Sequence, residues 1–177
     1  MATADRYTPC RSLPVHHNRR HPALFLITLL WAGLLPALTR CQSVDVPTAI
    51  IVNAYNPVSN LTLAEAQALF RDERHHWAPG RPVTLVLPTQ GNDERAVALR
   101  ALYDMNELAF ARYWTARIYR AQSASAPVQV ESSSMVARVV ATLPGGIGVV
   151  RSAAVPNGVK VVRIDGLLPG DPGYPLR

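Results

Sequence analysis

Hydrophobic and polar positions from residue 48 onward repeat with two alternating periods. The apolar, β-branched run Thr48 to Ala54 predicts a buried strand, and Pro82 to Leu87 predicts a second one. Three more segments rich in β-branched residues predict further strands: Val128 to Val130, Ile147 to Val150 and Val159 to Ile164. Turn and helix signals separate these runs.

Four segments between the predicted strands have the period of a helix. Thr62 and Glu65 form a capping box, in which the hydroxyl accepts from the Glu65 amide and the carboxylate bonds back to the Thr62 amide. Asn92, Asn106 and Ser132 are further cap residue types at predicted helix starts. The apolar faces of the four helices are formed by Leu63, Ala66, Leu69 and Phe70; by Ala98, Leu99, Leu102 and Tyr103; by Phe110, Tyr113, Trp114 and Ile118; and by Met135, Val136, Val139, Val140 and Leu143. Strands that alternate with helices predict an α/β fold, a layered α/β/α domain with a mixed, mostly parallel sheet.

The first part of the chain has a different pattern. A basic stretch at residues 11–21 precedes thirteen uncharged residues, Ala23 to Leu35, and Pro36 ends this apolar run. A charged front followed by an apolar run of this length is typical of a signal peptide. Extended to Leu38, the run would reach about 24 Å at ~1.5 Å per residue, less than the ~30 Å hydrocarbon core of a bilayer. We therefore favour a signal sequence over a stable membrane span.

The signal sequence is expected to comprise residues 1–41, with cleavage between residues 39 and 43, where small residues suit signal peptidase. A lipid anchor on Cys41 is not expected, because Arg40 is bulky and charged where a lipoprotein signal needs a small residue. The domain at residues 42–177 is therefore expected to be released into the periplasm.

Most of the net positive charge of the chain lies in this leader. Of 18 basic and 12 acidic residues, five arginines and one aspartate precede Gln42, which leaves 13 basic and 11 acidic residues in the domain. Its net charge is then about +2, with Lys160 as its one lysine, so no basic face for nucleic acid is expected. Cys10 and Cys41 both lie in the leader segment, so the domain is expected to fold without a disulfide.

Five segments between Ile50 and Arg177 carry a resemblance to a known family. They are Ile50 to Phe70, Trp77 to Val83, Tyr113-Trp114, Val136 to Val150 and the ending Pro172 to Arg177. In order and spacing they resemble the phosphate-type substrate-binding proteins of ABC transporters, which are type II periplasmic binding proteins. The resemblance covers nearly the whole domain and implies solute binding without catalysis and without a cofactor.

The chain departs from this family in size. Such proteins have two lobes that close on a ligand, whereas this sequence holds little more than the second lobe. One lobe cannot enclose a ligand from both sides, so a small ligand would stay partly solvated. The surface that would face the other lobe is then expected to bind a protein partner or a second copy of the chain.

The ligand loop that the resemblance implies departs as well. In the family, an arginine precedes a Ser-Gly-Thr turn at a helix start, where backbone amides hold an oxyanion. Aligned by Gly91, the turn here is Asn92-Asp93-Glu94, and the arginine position falls near Pro88. Two acidic residues in the first helical turn stabilise the helix by roughly 0.3–1 kcal/mol each and repel an anion.

Two segments are candidates for a ligand site, namely Thr89-Gln90-Gly91-Asn92 and Ser132-Ser133-Ser134. The first is a vestigial ligand loop or an ordinary strand-to-helix connection, and the ordinary connection is favoured. The serines could present hydroxyls and amides to an anion, although serine is also a common helix cap.

Other motifs point to no chemistry. His75 and His76 are adjacent and lack a third ligand at a recognisable spacing, so a solvated turn is favoured over a metal site. The glycines at residues 145–148 run from helix into strand, the reverse of a phosphate-binding loop, and predict a turn. No nucleophile motif or carboxylate pair stands out, so we do not expect an enzyme.

Two functions remain open from the sequence. The first is an exported binder of a small anion such as phosphate or of another solute. The second is a periplasmic protein-interaction module that has lost its ligand site.

Overall fold

The computed structural model of the protein describes residues 47–177. The expected signal sequence, its cleavage site and Cys41 lie outside the described residues. Within this part of the chain the strands are β1 (Thr48–Asn53), β2 (Asn60–Leu61), β3 (His76–Ala78), β4 (Arg81–Pro82), β5 (Thr84–Pro88), β6 (Val128–Val130), β7 (Gly146–Arg151), β8 (Val159–Val161) and β9 (Arg163–Ile164). The helices are α1 (Leu63–Phe70), α2 (Asp93–Ala98), α3 (Glu107–Tyr119) and α4 (Ser133–Thr142); a π-helical turn at Leu99–Tyr103 continues α2, and a 3₁₀ turn at Ser152–Ala154 follows β7.

Five strands form the central sheet in the order β6-β5-β7-β1-β8. β5 pairs in parallel with β6 and with β7, whereas β1 pairs antiparallel with β7 and with β8. Four of the five strands therefore run in the same direction, with β1 reversed. This arrangement confirms the prediction of a mixed, mostly parallel sheet.

Helices cover both faces of the sheet because the strands bury side chains on both faces. Ala49 and Ile51 of β1 pack with α4 on one face. Ile50 and Val52, the alternate residues of the same strand, pack on the other face with α1, α2 and α3. The layered α/β/α architecture is confirmed.

The start of the second predicted strand is different in the structure. β5 begins at Thr84, and Pro82 instead pairs with His76 in the hairpin of β3 and β4. Proline lacks the amide hydrogen that a central strand needs, so its place in a short two-stranded hairpin is physically reasonable.

The last predicted strand is divided in two. The Val162 amide still donates to the Ile50 carbonyl at 2.9 Å, but the next residue, Arg163, pairs with Asn60 of β2. The chain thus leaves β1 and pairs with a separate short strand, which the β-branched pattern of residues 159–164 did not indicate.

Two apolar faces were assigned partly wrongly. Met135 is 39% exposed, and Ala137 lies with Val136 and Val140 in the contact of α4 with the sheet. In α3, Phe110 and Trp114 are buried as predicted, but Ile118, one turn further on, is 43% exposed. The buried face of α4 is therefore rotated toward Ala137, and the buried face of α3 ends at Trp114.

Candidate functional site

The two predicted candidate segments lie side by side in the structure. β5 and β6 are parallel neighbours, so the connections that follow them meet at one edge of the sheet. The Thr89 amide donates to the Val130 carbonyl at 2.8 Å, and Asn92 Nδ2 is 3.4 Å from the Glu131 carbonyl. We call this surface the polar edge; it comprises residues 89–94, residues 131–134 and Arg151.

The first candidate segment, residues 89–92, is held by a hydrogen bond between its own first and last residues. Asn92 has the extended backbone of a cap residue, but its side chain makes no capping hydrogen bond. Its Nδ2 donates instead to the Thr89 carbonyl at 2.9 Å, so Asn92 occupies the predicted N-cap position of α2 without capping it through the side chain. Gly91 has a left-handed φ of +93°, which permits this tight return, and Gln90 is exposed beside it.

The serines of the second segment have three different roles. Ser132 caps α4 as predicted, since its hydroxyl accepts from the Met135 amide at 3.3 Å. The hydroxyls of Ser132 and Ser134 are 2.9 Å apart, and Ser134 is exposed. Ser133 points toward α2, where it meets a charged side chain.

That charged side chain is Glu94, and it is the centre of the polar edge. Ser133 Oγ donates to Glu94 Oε1 at 2.9 Å, and Arg151 Nε donates to the same oxygen at 3.1 Å. Ser133 Oγ in turn accepts from the Arg151 amide at 3.2 Å. A carboxylate from α2 therefore joins the start of α4 to the end of β7.

Glu94 remains an anion although it is only 4% exposed. Burial raises the pKa of its carboxyl, but hydrogen bonds from its own amide, from Ser133 and from Arg151, together with the Arg151 charge, outweigh burial and lower the pKa below its usual value. Asp93 is different: its side chain is 69% exposed, and its nearest contact with Arg151 is 3.8 Å.

A second charged group lies beneath the polar edge. Arg95 is 3% exposed and binds Glu107 through two hydrogen bonds of 2.7 and 2.9 Å. It also donates to the Pro88 carbonyl at 3.0 Å, and its guanidinium lies 4.9 Å from the Phe110 ring centroid. Arg95 thus ties the end of β5 to α3, and the buried charge is compensated on each side.

Sequence reasoning missed Arg151 and the position of the Glu94 carboxylate. Arg151 ends β7, which is parallel to β5, so the strand pattern together with a parallel pairing could have placed it at this edge. Nothing in the sequence indicated that Glu94 turns back to Ser133, because 39 residues separate the two.

The other motifs lie away from this edge. His75 Nδ1 is 2.8 Å from Asp72 Oδ1 on an exposed turn. The turn predicted at residues 145–148 is shorter in the structure, because β7 already begins at Gly146. Residues 47–177 contain no group of three or more histidine, cysteine or acidic side chains placed to hold a metal ion. In the same residues, no helix has the length and apolar character needed to cross a membrane.

The fold is that of solved phosphate-binding transport proteins. An ABC-type phosphate transport receptor from Vibrio cholerae superposes with a TM-score of 0.55 at 20% identity, over 70% of this chain and 48% of the receptor. PstS from Borrelia burgdorferi superposes with a TM-score of 0.53 at 12% identity, over 70% of this chain and 49% of PstS. The chain therefore spans about half the length of these structures and matches one lobe. The sequence matches no protein-family model and no curated protein.

Proposed function

We propose that this chain is an exported, non-catalytic binding domain that recognises a protein partner through its polar edge rather than carrying free phosphate. The observation that favours a protein over phosphate is the Glu94 carboxylate, which already takes the hydrogen bonds of Ser133 and Arg151. The solved structures of similar fold support a binding function in general.

An added anion would meet an unfavourable field at this edge. Glu94 is ionised there, Asp93 is largely exposed, and Glu131 is exposed next to Asn92. Two like unit charges 4 Å apart near a protein surface repel by about 4 kcal/mol. Arg151 offsets only part of this negative charge, so free phosphate is a poor ligand for the unchanged chain.

The edge nevertheless offers groups to a protein surface. Gln90, Asp93 and Ser134 are exposed donors or acceptors, and Met135 adds exposed apolar area beside them. Protein interfaces combine polar rims of this kind with a small number of apolar contacts. A second copy of the chain is one form that the partner could take.

A small anion is the second candidate, because the Arg151 side chain is 49% exposed and its contact with Asp93 is long. An anion on the outer side of the guanidinium would leave the Glu94 contact in place. Ser134, which is exposed close by, could add a hydroxyl.

Affinity capture with a matched pair of variants tests the protein partner. We would express the full chain with a C-terminal tag and compare Ser134→Arg at the polar edge with Ser125→Arg, an exposed serine close to the opposite end of β6. Ser134→Arg should lose the captured partner, which sedimentation would detect as a dimer if the partner is a second copy of the chain, while Ser125→Arg should retain it. Equal capture by both variants would place the partner elsewhere.

Thermal unfolding tests the anion candidate. Phosphate, sulfate and arsenate at millimolar concentration should leave the melting temperature of the unchanged chain constant. A ligand at 100 times its Kd would add about 2.7 kcal/mol of stability, so binding would be visible as a clear rise. Such a rise would favour the second candidate.

Export is tested by fractionation and N-terminal sequencing. A periplasmic protein whose first residue lies between positions 40 and 44 would agree with the expected cleavage. Cys41→Ser should leave its release unchanged, since a lipid anchor on Cys41 is not expected.

A further inference from the structure

We propose that the Glu94 carboxylate acts as a tethered anion: it fills a receptor for a small oxyanion built from Ser133 and Arg151, and its removal leaves a site for inorganic phosphate. The inference rests on the proposed function and deepens it, since it concerns the same polar edge and gives a physical reason to expect weak phosphate binding by the unchanged chain.

The donors that hold Glu94 converge on one point from separate elements. Ser133 Oγ and Arg151 Nε both bond Oε1, and the Glu94 amide also bonds the carboxylate. Ser133 is fixed by the Arg151 amide at 3.2 Å, which ties it to the end of β7. The Ser133 hydroxyl is therefore positioned by a backbone contact that does not depend on the Glu94 side chain, whereas the Arg151 guanidinium is held by Glu94 and, at 3.8 Å, by Asp93.

These donors suit a tetrahedral oxyanion as well as a carboxylate. A guanidinium, a hydroxyl and a backbone amide are the groups that bind phosphate oxygens in proteins, and charge-assisted bonds of this kind are the strong ones. The Glu94 side chain that they hold is 5% exposed, so it lies in a recess rather than on an open surface.

Removing the carboxylate leaves this recess without its acceptor. Ser133 and Arg151 would lose their shared acceptor, and a partly buried donor without a partner is unfavourable until another acceptor arrives. Glu94→Ala removes four heavy atoms and one negative charge, whereas Glu94→Gln removes the charge but keeps the space filled. The two variants therefore separate room for an anion from a change of charge alone.

Asp93 supplies a matched control on the same helix turn. It is acidic and near Arg151, but its side chain is 69% exposed and its contact is 3.8 Å. Asp93→Ala thus removes the same type of charge from the edge without emptying the recess.

The test is a calorimetric titration of the full chain and its variants with inorganic phosphate, with circular dichroism to confirm the fold. Glu94→Ala should bind phosphate at least about tenfold more tightly than the unchanged chain, a difference of about 1.4 kcal/mol. Glu94→Gln and Asp93→Ala should stay close to the unchanged chain. Adding Arg151→Gln to Glu94→Ala should remove the gain.

Glu94→Thr, which places a hydroxyl in the recess but no charge, is the second variant if Glu94→Ala does not fold, and the same gain is expected. No gain in either variant, or a gain that persists with Arg151→Gln, would overturn the tethered-anion inference. Equal phosphate affinity in the unchanged chain and in Glu94→Ala would also overturn it. The proposed protein partner is judged separately, by the capture experiment with Ser134→Arg.

Discussion

α2 and α4 follow neighbouring parallel strands and begin at the same edge, yet they are held to the sheet by different forces. α4 lies directly on β7, where Val136 and Val140 touch the position of Gly148. α2 also packs Val97 and Ala98 into the apolar core, but it adds two ion pairs, Glu94 to Arg151 and Arg95 to Glu107. The helix with the ion pairs is the one that contributes the anionic group to the polar edge.

This difference predicts which substitutions and which changes of pH or salt each helix tolerates. Close apolar packing is insensitive to pH and salt but sensitive to a single added methyl group. A partly buried ion network is less sensitive to volume, but losing one partner leaves an uncompensated charge. The variants below use this contrast.

Arg95→Ala should have the largest effect. It leaves Glu107 and the Pro88 carbonyl without their donor, and it removes the guanidinium from the Phe110 ring. We expect a loss of roughly 3 kcal/mol in the free energy of unfolding, measured by urea denaturation. Arg112→Ala, an exposed position on α3, is the control and should change little. A loss equal to that of Arg112→Ala would show that α2 does not depend on its charges.

Gly148→Ala should be the next most damaging, on the α4 side of the comparison. A Cβ at this position would lie 2.5 Å from Val136 Cγ1 and 2.9 Å from the Val86 carbonyl oxygen. We expect a loss of about 2 kcal/mol, because the backbone of β5 cannot easily move away. The stability lost through Val136→Ala should be smaller in the Gly148→Ala background than in the unchanged chain, because the shorter side chain at 136 relieves part of the clash with the new Cβ. Additive losses would contradict close packing as the cause.

Glu94→Gln should cost about 1.5 kcal/mol at neutral pH, through the loss of charge-assisted hydrogen bonds. Since the pKa of Glu94 is lowered on folding, its ionisation stabilises the fold above the unfolded pKa near 4.5, and this contribution is lost as pH falls through the folded pKa. The stability difference between the unchanged chain and Glu94→Gln should therefore shrink below about pH 5. A difference that is constant from pH 7 to 3 would refute the ionic role.

Alanine substitutions at the two helix starts, Ser132 and Asn92, should cause the smallest losses in the free energy of unfolding. Ser132→Ala removes a capping acceptor and should cost about 1 kcal/mol. Asn92→Ala, at the equivalent position before α2, removes a loop hydrogen bond and should cost only about 0.5 kcal/mol. Equal losses in paired denaturation curves would mean that the Asn92 side chain also stabilises its helix.

Much of the fold could be predicted from local pattern. β1, the capping box of Thr62 and Glu65, and the cap at Ser132 are each determined by a few neighbouring residues, and all three are present. The pairing of Pro82 with His76 and the break at Val162 were not predictable, because each depends on a strand elsewhere in the chain.

For the candidate site, too, some features follow from the sequence and others only from the tertiary structure. The chain itself determines that an acidic pair follows Asn92 and that three serines begin α4, and it predicts the alternating elements that bring parallel strand ends together. Only the tertiary structure decides that Asn92 bonds back to Thr89, and that Glu94 turns to meet Ser133 and Arg151. A hydrogen bond across 39 or 57 residues depends on sheet register and helix rotation, which local sequence patterns do not specify.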